Sequence, residues 1–193
     1  MDFPSTAVKI SGRDHIHPVD HTTYDGESDL SADMYFAHDG KNLYFAADVT
    51  DDRHFNKFPI SRIWSGDSIQ IGIDPETNFL RNENDLDPDD SFLSLGLQTT
   101  GQALKVHRGP FRTALEEGIE YKITRNEKTK KTLYRLKMPR AFVATKLKSG
   151  DIFGFNCIVF DDDSNAGADY WLFLRQGLAG GLRPDKFAPC IIE

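Results

Sequence analysis

Isoleucine stands at every second position of residues 68–73, Ser-Ile-Gln-Ile-Gly-Ile, and this alternation narrows the possible folds more than any other feature of the chain. A period of two puts Ile69, Ile71 and Ile73 on one face of a strand, with Ser68, Gln70 and Gly72 on the other. Residues 92–98 repeat the pattern, with Leu93, Leu95 and Leu97 against Ser94, Gly96 and Gln98. Two strands that turn small or amide residues outward predict a buried face backed by a shallow concave surface, not a second hydrophobic face.

The rest of the chain reads the same way, as short apolar runs bounded by turn residues. Residues 30–37 and 43–49 predict a hairpin across the turn His38-Asp39-Gly40-Lys41-Asn42, whose glycine suits a positive φ. A second hairpin is expected between 119–125 and 133–138. Residues 152–160 are the most apolar run and predict a central strand, and 170–174 and 187–192 predict the last two. Fourteen Phe against three Met lean the same way, because aromatic side chains suit half-buried strand positions. The helical candidates, 111–117 and 140–147, are short. The fold class expected is therefore all-β, an antiparallel β-sandwich with short helical turns, in a single domain over residues 1–193.

Charge and composition exclude several function classes. With 23 Lys and Arg against 30 Asp and Glu the net charge is -7, and no basic stripe suits a phosphate backbone, so no nucleic-acid partner is expected. No apolar run approaches the ~20 residues that span a bilayer. The N-terminus lacks a basic n-region and an apolar h-region, so the chain is either cytosolic or lacks its leader. The two cysteines, Cys157 and Cys190, either form one bridge or act as small buried hydrophobes.

Four motifs carry candidate chemistry. Trp64 stands in a Gly-containing turn leading into 68–73, where its indole either caps the core edge or offers a flat apolar plate to a sugar ring. Residues 170–174 alternate so that Trp171 and Phe173 share one face and Tyr170, Leu172 and Leu174 the other, which makes Trp171 a core residue or a second plate. The loop over residues 82–90 is dense in oxygen ligands, and Asp85, Asp87 and Asp89 are its candidate Ca²⁺ ligands, although no EF-hand spacing is present. The smaller clusters Asp51-Asp52 and Asp161-Asp162-Asp163 are calcium ligands or turn formers. His15 and His17, with His21, form a weak transition-metal pattern. GxSxG, P-loop, HExxH and CxxC motifs are missing, and no carboxylate sits in a setting that marks it as a general acid, so no enzyme is expected.

The order of these motifs resembles the family 9 carbohydrate-binding modules. The hairpin over 35–52, the Trp64-x-x-Asp67-Ser68-Ile69-Gln70 segment, Met138-Pro139, the run 150–156, Asp161-Asp162-Asp163 and the closing segment 177–187 carry the likeness, over about residues 28–193. The resemblance implies a β-sandwich related to DOMON domains, and a non-catalytic module that clamps the end of a glycan between two Trp side chains. Such modules often carry structural calcium and are often fused to secreted polysaccharide-degrading enzymes. It therefore implies a carbohydrate ligand, a possible place in a larger multidomain protein, and an extracellular, periplasmic or cell-surface location. Carried over, Trp64 matches the first clamp residue, and Gln70 stands where a Glu is common. Asn156 and Gln98 on the outward face are further candidates for the sugar hydroxyls. Trp171 is the candidate second plate, although the family position lies nearer Leu174, so that role requires a shifted register. Ile158 and Phe160 make the outward face drier than in sugar binders. The alternatives are a DOMON-type haem or small apolar ligand domain, with Met34 and His38 or His54 as nominal axial ligands, or a structural accessory domain of a larger enzyme.

Overall fold

The computed structural model describes residues 7–17, 23–76, 88–108, 118–143, 146–179 and 181–193. Eleven strands are found among them: β1 Val8–Ile10, β2 Leu30–His38, β3 Asn42–Asp51, β4 Ser68–Asp74, β5 Ser91–Gln98, β6 Gly101–Arg108, β7 Glu120–Asn126, β8 Lys131–Pro139, β9 Ile152–Asp161, β10 Tyr170–Phe173 and β11 Ala188–Ile191. They form two antiparallel sheets. The first runs β1-β2-β3-β8-β7 and the second β10-β9-β4-β5-β6, with β11 pairing β9. β10 and β11 lie end to end on one edge of β9, Tyr170–Phe173 against 158–161 and Ala188–Ile191 against 152–155. This is the two-sheet sandwich expected.

Local chemistry explains the hairpins. Asp39 Oδ1 accepts the backbone N–H groups of Lys41 (2.8 Å) and Asn42 (2.7 Å), and Gly40 takes φ +77, so the β2–β3 turn is closed by its own side chain. Two elements escaped the sequence reading. β1 is only three residues long, and β6 was masked by its mixed polarity, although Thr99-Thr100 between the paired Gln98 and Gly101 makes a tight β5–β6 hairpin. Of the helical candidates, 111–117 lies outside the described residues, and 140–147 is helical over α1 Arg140–Val143, with 144 and 145 outside the described residues.

The core lies between the sheets. Ile69, Ile71, Ile73, Leu93 and Leu95 are fully buried, and they meet Met34, Phe45, Ala47 and Leu136 of the first sheet. Phe36 and Phe155 meet edge-on at 4.7 Å across the sheets. Cys157 and Cys190 are both free thiols. Cys190 pairs with Phe153 on β9, four residues from Cys157, which leaves the two side chains too far apart along the strand to bridge.

Candidate functional site

The outer face of the second sheet is roofed in two places, and glycine permits both. Ile63 lies over Gly96, where a Cβ would stand 2.9 Å from Ile63 Cγ1. Leu178 and Phe187 lie over Gly72, where a Cβ would stand 2.6 Å from the Phe187 ring. Between the roofs the face opens into a cleft of about 760 Å³. Its walls include Trp64, Gln70, Phe92, His107, Phe160 and Trp171. That volume and this mix of aromatic and polar walls match a small-molecule site.

Trp64 rides on the 3-10 turn Ile60–Ser65. Asn56, itself buried, pins the turn by donating Nδ2 to Ile63 O (2.9 Å) and Asp67 O (3.0 Å). With Ile63 plugged into the sheet, Trp64 is left half-buried at the cleft edge. Lys105 Nζ lies 5.2 Å from its ring centroid and the His107 ring 5.4 Å. His107 stacks on Phe92 at 4.6 Å and hydrogen-bonds Ser94 Oγ at 2.8 Å. On β10, Tyr170 and Leu172 enter the core, and the Tyr170 hydroxyl donates to Asp29 Oδ2 (2.8 Å). Trp171 is thereby turned to the outer face, packed 5.8 Å from Phe160 and 4.6 Å from His17. Trp171 itself, not Leu174, lines the cleft.

Gln70 lies on the floor, 6 % exposed, and its side-chain amide makes no hydrogen bond to any described residue. Its amide opens into the cleft with its donors and acceptor free of described protein partners, so it can both donate to and accept from a ligand there.

Two other sequence candidates are not part of the cleft. Asn156 points outward as alternation requires, but the segment after β10 covers it. Its Oδ1 accepts the N–H groups of Cys157 (2.9 Å) and Arg175 (3.0 Å), and its Nδ2 donates to Gln176 O (2.9 Å). Gln98, at the far end of β5, donates to Phe58 O. Both amides are spent on backbone. Ile158, 1 % exposed, and Phe160, 6 % exposed, pack under Leu178 and Phe187, which accounts for their apolar character. The nominal haem ligands are placed otherwise: Met34 is in the inter-sheet core, both His54 ring nitrogens are engaged by Asp51 and Leu97 O, and His38 Nε2 lies 3.3 Å from Glu193 O. The sequence reading missed His107, Phe92 and the backbone of 164–169. His107 went unseen because β6 did.

Behind the cleft lies an acidic cluster. Carboxylate oxygens of Asp51, Asp161 and Asp163 fall within 4.8 Å of one another, as do those of Asp29, Asp52 and Asp163. Burial, reinforced by neighbouring carboxylates, pushes Asp161 up to about 10 and Asp163 up to about 6. Asp161 is fully buried, and neither of its oxygens meets a hydrogen-bond donor among the described residues. Oxygen-only donors, orphaned and mutually repelling, fit a hard divalent cation such as Ca²⁺. A third grouping, Asp51, His54 and Asp67, is filled by its own hydrogen bonds. Asp85, Asp87 and His21 lie outside the described residues, and Asp89 joins none of these groupings. His15 Nδ1 sits 2.9 Å from Phe173 O, and His17 stacks on Trp171.

Comparison with known proteins agrees with this fold. The sequence model of the family described as carbohydrate family 9 binding domain-like matches residues 15–174. Two solved structures are similar, both of a carbohydrate-binding module family 9 from Caldicellulosiruptor kristjanssonii. The cellotriose complex has a TM-score of 0.68 at 19% identity, covering 92% of this chain and 80% of that one. The glucose complex has a TM-score of 0.68 at 18% identity, covering 93% and 83%. No curated protein matches the chain.

Proposed function

The chain belongs to the carbohydrate family 9 binding domain-like family, whose members are non-catalytic binding modules, and from that premise we propose that its cleft holds a carbohydrate between Trp64 and Trp171. One observation carries the reading. The two Trp residues of the chain line a single cleft whose floor carries the Gln70 amide, which makes no hydrogen bond to any described residue. Sugar rings have C–H faces that stack on indole, and a primary amide both donates to and accepts from hydroxyls. The cleft is walled by the Trp64 turn, by the backbone of 164–169 and by Leu178-Ala179, which favours the end of a glycan over its middle. Calcium is a structural ion in this reading, held by Asp161 and Asp163 with Asp29, Asp51 and Asp52.

Intrinsic fluorescence tests the proposal, because both emitters are in the cleft. Titration with mono- and oligosaccharides should give a saturable change that Trp64→Ala or Trp171→Ala reduces. Folded protein that responds to no sugar, with or without Ca²⁺, would overturn it.

A further inference from the structure

The protein carries -7 overall, yet two cations stand beside Trp64. Arg62 lines the cleft, and Lys105 Nζ lies 5.2 Å from the Trp64 ring. Neither is ion-paired among the described residues, whereas Lys9, Arg125, Lys131, Lys137 and Arg183 each hold a carboxylate. Both cations are nonetheless positioned. The Arg62 guanidinium lies 5.5 Å from the Phe58 ring, with Nη2 3.3 Å from Ser65 Oγ, and Lys105 Nζ reaches Ser61 O at 3.4 Å. The carboxylate among the lining residues, Asp169, is engaged in its own loop, accepting Ser164 N–H at 3.0 Å. The polar group on the floor, Gln70, is neutral and repels no anion.

We propose that the cleft takes a uronic acid residue, its ring stacked on Trp64 and its carboxylate directed to Arg62 and Lys105; this rests on the carbohydrate reading above and narrows it. A hexuronic acid offers the same C–H face as the neutral hexose and adds one anion at the ring's edge. A guanidinium fork matches a carboxylate with two parallel N–H···O bonds, and a neighbouring ammonium adds a point charge. A preorganised cation loses less freedom on binding than a mobile one.

Calorimetric titration at neutral pH with D-glucuronic acid against D-glucose, and D-galacturonic acid against D-galactose, isolates the carboxylate, because each pair differs only at C6. The uronic acid of at least one pair should bind roughly five- to tenfold tighter at low salt, and the preference should shrink toward about 0.15 M salt as exposed charges are screened. In the double variant Arg62→Gln/Lys105→Gln, shown to be folded by its melting curve, the ratio should fall to about one. Neutral sugars binding as tightly as their uronic acids would overturn the uronate assignment and leave the carbohydrate reading standing. A preference that survives the double variant would overturn it as well. Absence of binding by either kind of sugar, or by their oligosaccharides, would overturn both readings.

Discussion

Asp67 accepts the backbone N–H of Asp162 at 2.9 Å through one carboxylate oxygen and the N–H of Phe55 through the other. Asp162 in turn accepts the N–H groups of Ala166 (3.0 Å) and Gly167 (3.2 Å). This relay ties the segment that carries Trp64 to the β9–β10 loop that walls the same cleft. Asp67→Ala leaves the buried Asp162 N–H and the half-buried Phe55 N–H without their acceptor and should cost about 2–4 kcal/mol in urea unfolding. Asp67→Asn keeps one acceptor and should cost less than half as much. Equal losses would mean that a single remaining acceptor holds neither segment.

Gly96 lets the Trp64 turn sit down on the sheet. A Cβ there would press on Ile63 at 2.9 Å, and on Asn56 Nδ2 at 3.1 Å, the donor that pins the turn. Gly96→Ala should destabilise by about 1–3 kcal/mol. It should also weaken ligand binding, since Trp64 adjoins Ile63. A stability loss with unchanged affinity would show that the turn relaxes without moving Trp64.

Gln70 separates function from structure. In Gln70→Leu the unbonded amide is replaced by an apolar group of similar size, so the melting temperature should hold or rise. Carbohydrate affinity should fall about tenfold, equivalent to ~1.4 kcal/mol. A lower melting temperature with intact binding would assign Gln70 to the scaffold.

Asn156 behaves in the opposite way, since its three bonds go to backbone. Asn156→Ala should cost about 2–4 kcal/mol of stability. At a temperature where the variant is folded, Trp64 should still report ligand. Loss of binding in well-folded Asn156→Ala would return this residue to the site.

The contrast between these two amides shows how far the sequence was legible. Alternation gave the buried face of β4 and β5 correctly, and the family resemblance that of β9, with Ile69, Leu93 and Phe155 all in the core. Together they put Gln70 and Asn156 on the outward face. Neither could show that Arg175, Gln176, Leu178 and Phe187 return over part of that face, because covering segments have no periodicity. Hence Gln70 opens to the cleft while Asn156 is sealed beneath backbone. β6 was missed because His107 and Lys105 break its apolar pattern, and those residues lie beside Trp64. The sequence offers the acidic loop 82–90 and the smaller clusters Asp51-Asp52 and Asp161-Asp162-Asp163 as separate cation candidates, without showing which of them meet. The residues that converge, Asp29, Asp51, Asp52, Asp161 and Asp163, come from three separate strand ends, a proximity that only the fold supplies.

That convergence makes stability depend on pH and on calcium together. Burial, then repulsion between carboxylates, raises Asp163 to about 6, Asp67 to about 8 and Asp161 to about 10. The unfolded chain releases these protons near pH 4. Between about pH 4 and 8 the metal-free folded protein therefore holds protons that the unfolded state has lost, and its stability must fall as pH rises through that window. A bound divalent cation reverses the preference, because it takes the ionised carboxylates. With chelator the melting temperature should drop from pH 5 to pH 8. With Ca²⁺ at ~100 times its dissociation constant the gain at pH 8 should be about 2.7 kcal/mol, or roughly 5–10 °C for a chain of this size, and little of it should remain at pH 5. Asp161→Asn removes a ligand and, with it, the cost of holding a proton that the unfolded chain has already released. It should abolish the calcium gain while raising the chelated protein's melting temperature at pH 8. A chelated wild type whose stability climbs from pH 5 to 8, or a calcium gain that is the same at both, would show that these carboxylates are not the cation's ligands.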